Sequence, residues 1–386
     1  MLEMTICALI VDDSALIRKV LSDILSEDQK IRVIGTAVNG KDGLEKVKKL
    51  RPDVVLLDNV MPVLDGLKTL ARIMKEYPTP VVIVSALGER AEEITLTAFE
   101  YGAVDVIEKP SGILSQNMPE MAEEICRKVR TASKANLKNL ECMRDLEPWN
   151  PEKEEKKEEK KEEKKGEEKE EKKGEEKEEK KGEEKKNREK VTSVRNVLAI
   201  GASTGGPRAL EKLIGSLPAE IPAAVLVVQH MPPGFTASLS KRLDAKSALR
   251  VREAQEGDIV EEGTVLIAPG NYHMEIVRNK VNGHEEEVVH LSCSPKELGS
   301  RPSVNVLFRS LAPVYGSRAI SLVLTGMNCD GADGAEEIKK MGGKVIAEAR
   351  SSCVVYGMPG EIVRRNLADF VLPLDRMAEE IIRIVK

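Results

Sequence analysis

AIGASTGGPRAL, residues 199–210, runs an apolar stretch into Ser203, Thr204, Gly205 and Gly206, and then into a helix-forming tail. The strand begins near Val194, and PRALEKLIGSL spaces its apolar residues three and four apart after the turn. A strand, a glycine-rich turn and an amphipathic helix form one unit, and such units repeated along a chain build a parallel sheet covered by helices. Three readings of the turn stand side by side. It is a tight turn and nothing more, or an anion cradle at a helix N-terminus, or the seat of a nucleophilic serine. GASTGG lacks the lysine of a P-loop and the spacing of GxGxxG. A nucleophilic serine needs a base within reach, and the base needs a carboxylate to hold its tautomer.

The residues further on offer both. AAVLVVQH (223–230) is an apolar strand ending in His230, and Asp330 lies in TGMNCDGADG behind AISLVLTG (319–326). Of the four histidines, His284 falls in a polar loop and His290 within a strand. His273, in APGNYHM, competes with His230 for the role of base. VLIAPG (265–270), HMEIVRN (273–279), EVVHLS (287–292) and KVIAEA (344–349) read as further strands, the middle two joined through Asn282-Gly283. PGFTASLSKRL and AEEIKKMG read as helices. The pattern predicts a mostly parallel α/β sheet with an antiparallel ribbon.

The first third of the chain repeats the alternation. TICALIV (5–11), IRVIGTA (31–37), VVLLD (54–58), PVVIVSA (80–86) and AVDVIEK (103–109) are strand candidates, with four helical patterns between them. In a doubly wound sheet the site lies beyond the carboxyl ends of the strands. Asp12 and Asp13 follow the first strand, Asp58 ends the third, Ser85 the fourth, and Lys109 follows the fifth. Converging carboxylates repel one another unless a cation joins them, and hard oxygen ligands suit Mg²⁺. Taken singly, a strand-end Asp is an ordinary N-cap and Lys109 an ordinary loop lysine. Together, in strand order, they describe a phosphoryl-accepting pocket.

VDDS, LLDNVMPVLDG, VSAL and GAVDVIEKP resemble the receiver domain of two-component response regulators over about residues 4–130. The resemblance implies a flavodoxin-like fold. It also implies that Asp58 takes a phosphoryl group from a histidine kinase, that Asp12 and Asp13 join Asp58 around Mg²⁺, and that Ser85 and Lys109 form the switch pair. Asn59-Val60 departs from the family, which often carries an acidic residue there.

Composition bounds the rest. The chain has 386 residues, enough for two or three domains, and a formal net charge of −5 offers no field to attract nucleic acid. Apolar runs fall far short of the roughly 18–20 residues of a membrane span. MLEMTICALIVDD shows no signal peptide and six cysteines form no CxxC pair, so a cytoplasmic chain without zinc or a disulfide framework is expected. Residues 152–186 are only Glu (17), Lys (15) and Gly (3). With no apolar side chain to bury, and with Gly166, Gly174 and Gly182 interrupting it, this tract reads as a solvated tether. The organisation expected is a receiver at 1–133, a linker at 134–190 and a catalytic domain at 191–386.

GASTGGP, VVQHMPPGFT, IAPGNYHM, RPSVNVLFRSLA and TGMNCDGADG resemble the methylesterase domain of the CheB family of chemotaxis response regulators, across 196–386. The resemblance implies Ser203 as nucleophile, His230 as base and Asp330 as orienting acid, with Thr204 and the Met327 backbone at the oxyanion. It implies hydrolysis of glutamate methyl esters on methyl-accepting chemoreceptors, with deamidation of receptor glutamines beside it. It further implies a chemotaxis histidine kinase as phosphodonor and no cofactor for the esterase. Asn328 stands where the family usually has glycine, and Asn305 where it usually has aspartate. The alternative from another class is a response regulator whose output domain only binds an anion or a partner.

Overall fold

The computed structural model of the chain describes residues 5–86, 88–110, 118–139, 194–281 and 284–386. The loop at Asn282-Gly283 and most of the 134–190 linker, with its Glu/Lys/Gly tract, lie outside those residues.

In the N-terminal lobe, β1 (Ile6–Val11), β2 (Ile31–Ala37), β3 (Val54–Asp58), β4 (Val81–Ser85) and β5 (Asp105–Glu108) alternate with α1 (Ala15–Glu27), α2 (Gly40–Leu50), α3 (Gly66–Glu76), α4 (Glu89–Glu100) and α5 (Met118–Ala132). The strands pair in parallel in the order β2-β1-β3-β4-β5. Every residue of β3 and β4 is buried, which is why they read as unbroken apolar runs rather than as alternation. Ser14, Asn39 and Asp65 start α1, α2 and α3 by accepting from backbone N–H groups of the first turn. Strand order reverses at β1, so a crevice opens beyond β1 and β3.

The C-terminal lobe is built on seven parallel strands: β6 (Asn196–Ala202), β7 (Ala223–Gln229), β8 (Arg250–Glu253), β9 (Thr264–Ile267), β12 (Ala319–Val323), β13 (Lys344–Glu348) and β14 (Phe370–Leu372). Their order is β14-β13-β12-β6-β7-β9-β8. A separate antiparallel ribbon pairs β10 (His273–Val281) with β11 (His284–Ser292). Helices α6 (Gly206–Ile214), α7 (Phe235–Lys246), α8 (Val304–Tyr315), α9 (Ala332–Lys340), α10 (Met358–Arg364) and α11 (Leu374–Val385) cover the sheet. Its core joins Val197, Leu226 and Val228 of the sheet to Phe308 and Leu311 of α8. Strand β6 lies between β7 and β12, at the reversal of strand order. Ser203 leaves the sheet there.

The lobes touch. Val354 and Val355, between β13 and α10, pack into the apolar cluster of the N-terminal lobe, where Met327 and Leu137 also lie. The Asn136 backbone N–H donates to Val354 O at 2.8 Å, and Asn139 Nδ2 donates to Cys353 O at 2.7 Å.

Candidate active site and receiver crevice

Ala202 pairs directly with Gln229, so Ser203 and His230 leave neighbouring strands side by side. The pair is pinned twice: His230 N donates to Ala202 O at 3.0 Å, and Gln229 Nε2 to Ser203 O at 2.9 Å. Gly205 has φ +80°, a left-handed conformation that turns the chain from β6 into α6. Across the turn, a Cβ on Gly326 would lie 2.8 Å from Ser203 Cβ, so only glycine lets the β12 loop approach the serine.

His230 is buried, and its Nε2 lies 2.8 Å from Asp330 Oδ2. The other ring nitrogen, Nδ1, is buried without a hydrogen-bond partner. An ionised Asp330 can only accept, so His230 donates from Nε2–H and keeps a lone pair on Nδ1. Asp330 is fully buried and does not bond His230 alone. Its Oδ2 also accepts from Val304 N at 2.8 Å, and its Oδ1 accepts from Ser303 Oγ and Asn305 N, each at 2.9 Å. The carboxylate therefore sits on the N-terminus of α8, where free N–H groups and the helix dipole favour a negative charge. Burial pushes the Asp330 carboxyl up, but the His230 contact and the two backbone N–H groups outweigh it and hold the group below the usual carboxylate range.

The departures noted in the sequence acquire reasons here. Asn328 has φ +76°, a conformation asparagine tolerates, and its Oδ1 accepts from Asp330 N at 2.8 Å. The turn that glycine would make is made by an Asx turn. Asn305 Oδ1 accepts from Gly331 N and Gly334 N, both at 2.9 Å, and caps α9; its Nδ2 donates to Glu297 Oε1 at 2.9 Å. An aspartate in that position would face Glu297 carboxylate to carboxylate, so asparagine and Glu297 suit each other.

His273, the competing histidine, is fully buried in another role. Ser303 N donates to its Nδ1 at 3.2 Å, and its Nε2 lies 3.1 Å from Pro295 O. It supports Ser303, which supports Asp330. The sequence reading passed over Ser303, Thr325 and Glu348. Thr325 O accepts from Ser203 N at 3.0 Å, Thr325 Oγ1 donates to Thr204 O at 2.9 Å, and Glu348 Oε2 accepts from Thr325 N at 2.8 Å. Of these, Ser303 alone left a local signal, as a serine placed to start a helix.

In the N-terminal crevice, ligand oxygens of Asp12, Asp13 and Asp58 lie within 4.8 Å of one another. Lys109 Nζ reaches Asp58 Oδ2 at 2.7 Å and Asp12 Oδ2 at 3.2 Å. Burial raises the Asp58 carboxyl to about 6 and the charge of Asp12 adds to it, while Lys109 pulls the other way. An all-carboxylate oxygen set beside one lysine fits a hard divalent cation. Ser85 is fully buried, and its hydroxyl is engaged by Thr95 Oγ1 at 3.0 Å and Asn59 Nδ2 at 3.1 Å. The departure at Asn59 thus joins Ser85 to α4.

Thr204 and Met327 face the N-terminal lobe. Thr204 Oγ1 donates to the Asp105 carboxylate, Gly205 N donates to Val104 O at 3.1 Å, and Thr131 Oγ1 contacts Met327 Sδ. Farther out, Ser238 Oγ of α7 donates to Glu92 of α4 at 2.8 Å, and Lys246 reaches Glu100 at 2.7 Å. A cleft of about 240 Å³ beside His230 has α5 as its opposite wall.

Two family matches divide the chain in the same way. Residues 8–119 match the response regulator receiver domain, and residues 198–381 match the CheB methylesterase. A "Protein-glutamate methylesterase/protein-glutamine glutaminase 2" of Methanosarcina acetivorans is 83% identical over 99% of this chain and 100% of that protein. The chain belongs to the CheB methylesterase family. A family member from Geobacillus kaustophilus, described as "Protein-glutamate methylesterase/protein-glutamine glutaminase", is 41% identical over 99% of both chains. The crystal structure of the Thermotoga maritima CheB methylesterase catalytic domain is 43% identical, covering 50% of this chain and 100% of that one with a TM-score of 0.48. Among the described residues, no helix is long and apolar enough to cross a membrane.

Proposed function

We propose that this CheB-family chain hydrolyses γ-methyl esters of glutamates on cytoplasmic helices of methyl-accepting chemoreceptors, releasing methanol, and deamidates receptor glutamines at the same centre. Residues 191–386 form the catalytic domain, 1–133 the receiver, and 134–190 the linker. The observation that carries the reading is the buried His230–Asp330 pair, with Nδ1 unpaired and His230 at the end of the strand beside that of Ser203.

Ser203 Oγ attacks the ester carbonyl carbon as His230 Nδ1 takes its proton. Asp330 stabilises the imidazolium so formed, and backbone N–H groups near Thr204 and Met327 receive the developing oxyanion. Collapse expels methoxide, which leaves as methanol with the proton from His230. Water then attacks the acyl-enzyme with His230 again as base, freeing the glutamate carboxylate and Ser203. With an amide substrate the leaving group is ammonia.

Control comes from the receiver. A chemotaxis histidine kinase supplies the phosphoryl group that Asp58 accepts, and Asp12, Asp13 and Asp58 are the residues that would hold Mg²⁺. When bound, that ion neutralises charge on the phosphoryl oxygens. Lys109 pairs with the carboxylates, and Ser85 turns from Asn59 and Thr95 toward the new oxygen. Because α4 carries both Thr95 and Glu92, that turn disturbs the contact that holds the receiver over the cleft. The deciding experiment is methanol release from methylated receptor by the full chain, with and without a small-molecule phosphodonor. A Ser203→Ala protein that still releases methanol at the wild-type rate would refute the assignment.

A further inference from the structure

The cleft beside His230 carries charge that the ester chemistry does not use. Its catalytic-lobe wall bears two charged side chains, Lys296 and Arg301, and both are cations. Arg301 is engaged within its own loop, donating to the carbonyls of Cys293 (2.8 Å) and Ser294 (2.9 Å) and to Asn271 Oδ1 (2.8 Å). Lys296 projects from the loop that Arg301 stiffens, its side chain 35% exposed and its Nζ 3.0 Å from Glu120 of α5. The residues that α5 turns into the cleft include Glu120, Met121, Glu124, Ile125 and Lys128, spaced as one helical face. The resident of this cleft is therefore a helix with carboxylates one turn apart. Burial raises the second of these, Glu124, but Lys128, Arg127 and Lys296 hold it below its ordinary range.

We infer that the cleft is a dock for the acidic face of a substrate helix, and that Lys296 pairs with a substrate carboxylate near the reacting residue as it pairs here with Glu120. The inference rests on the esterase reading above and names what that site recognises. Helix α5 then stands in for substrate, and receiver and substrate compete for one cation. The partner is a protein whose esterified glutamate shares a helix with free carboxylates.

An ion pair this exposed changes binding only a few-fold, and salt weakens it. The test uses the full-length protein with phosphodonor, comparing methylated receptor in membranes with p-nitrophenyl acetate. Lys296→Glu should raise KM for the receptor about threefold to fivefold more than for the small ester, and the difference should shrink above about 0.1 M salt. Lys296→Arg should keep the receptor KM near wild type. Without phosphodonor, Lys296→Glu should raise the rate on the small ester, and adding Glu120→Lys should lower it again. Equal changes in KM for the two substrates, or a double variant as active as the single, would overturn the inference. Should Lys296→Glu fail to fold, Lys296→Gln gives the same comparison with a smaller shift. A wild-type protein that releases no methanol from receptor sinks the esterase reading and this inference with it. Methanol release with an unaltered receptor KM in Lys296→Glu sinks the inference alone.

Discussion

Asp58 and Asp330 are both fully buried aspartates at the carboxyl ends of parallel sheets, and their surroundings move them in opposite directions. Asp330 rests on a helix N-terminus and accepts four hydrogen bonds, so the cost of burying its charge is offset by groups fixed in place. Asp58 has one lysine to share with Asp12, and a like charge beside it. The first carboxylate is held ionised and immobile, which suits a group that orients a base. The second is left in excess of its counter-charge, which suits a group that binds a cation and attacks phosphorus. Two similar crevices thus differ in whether the fold completes the electrostatics or leaves that to a ligand.

The sharpest way to break this contrast is at the completed site. Ser203→Ala and His230→Ala should each lower kcat by roughly 10³ or more, and Asp330→Asn by somewhat less, in steady-state assays of methanol release. A milder loss in Asp330→Asn than in Ser303→Ala would show that the helix N-terminus, not the charge, orients His230. At the incomplete site, Asp58→Asn should take up no acid-labile phosphate and should lose all stimulation by phosphodonor. Stoichiometric labelling of Asp58→Asn would place the acceptor elsewhere.

Between the two crevices, Ser238→Ala removes a hydroxyl from the buried Glu92 carboxylate. A hydrogen bond to a charged group contributes about 1.5–3 kcal/mol, so basal activity should rise by about tenfold or more while phosphorylated activity changes little. Unchanged basal activity would mean that α4 does not hold the receiver over the site. The smallest effect concerns pH. A carboxyl whose folded pKa is raised stabilises the fold fully below its unfolded value of 3.8, and that contribution is lost as pH rises through about 6. Relative to Asp58→Asn, metal-free protein should therefore lose a few degrees of Tm between pH ~5 and ~7.5 by calorimetry, and Mg²⁺ should restore it only at the higher pH.

Much of the fold is legible because it is local. β1 to β5, β6, β7, β9, β12 and β13 fall on apolar runs closed by polar residues. β8 (RVRE) and β14 (FVL) escaped because four and three residues, half-exposed at sheet edges, carry no periodicity. Helix α8 escaped for a different reason: VNVLFRSLAPVY is rich in β-branched residues and contains Pro313, so its propensity argues against the helix that its burial and the Ser303 cap enforce. The helical patterns taken from the sequence do not extend to α5, α10 or α11.

Local patterns were enough for the two strand–helix alternations, the polar residues at their strand ends and the candidate residues Ser203, His230, Asp330 and Asp58, because each depends on neighbours a few positions away. Long-range packing sets which nitrogen of His230 faces Asp330, brings α8 under that aspartate, joins Asn59 to Ser85 and brings Asp105 to Thr204. Those are contacts between residues 25 to 100 positions apart, or nearly so. Their geometry follows from strand order and helix docking, which no local pattern encodes.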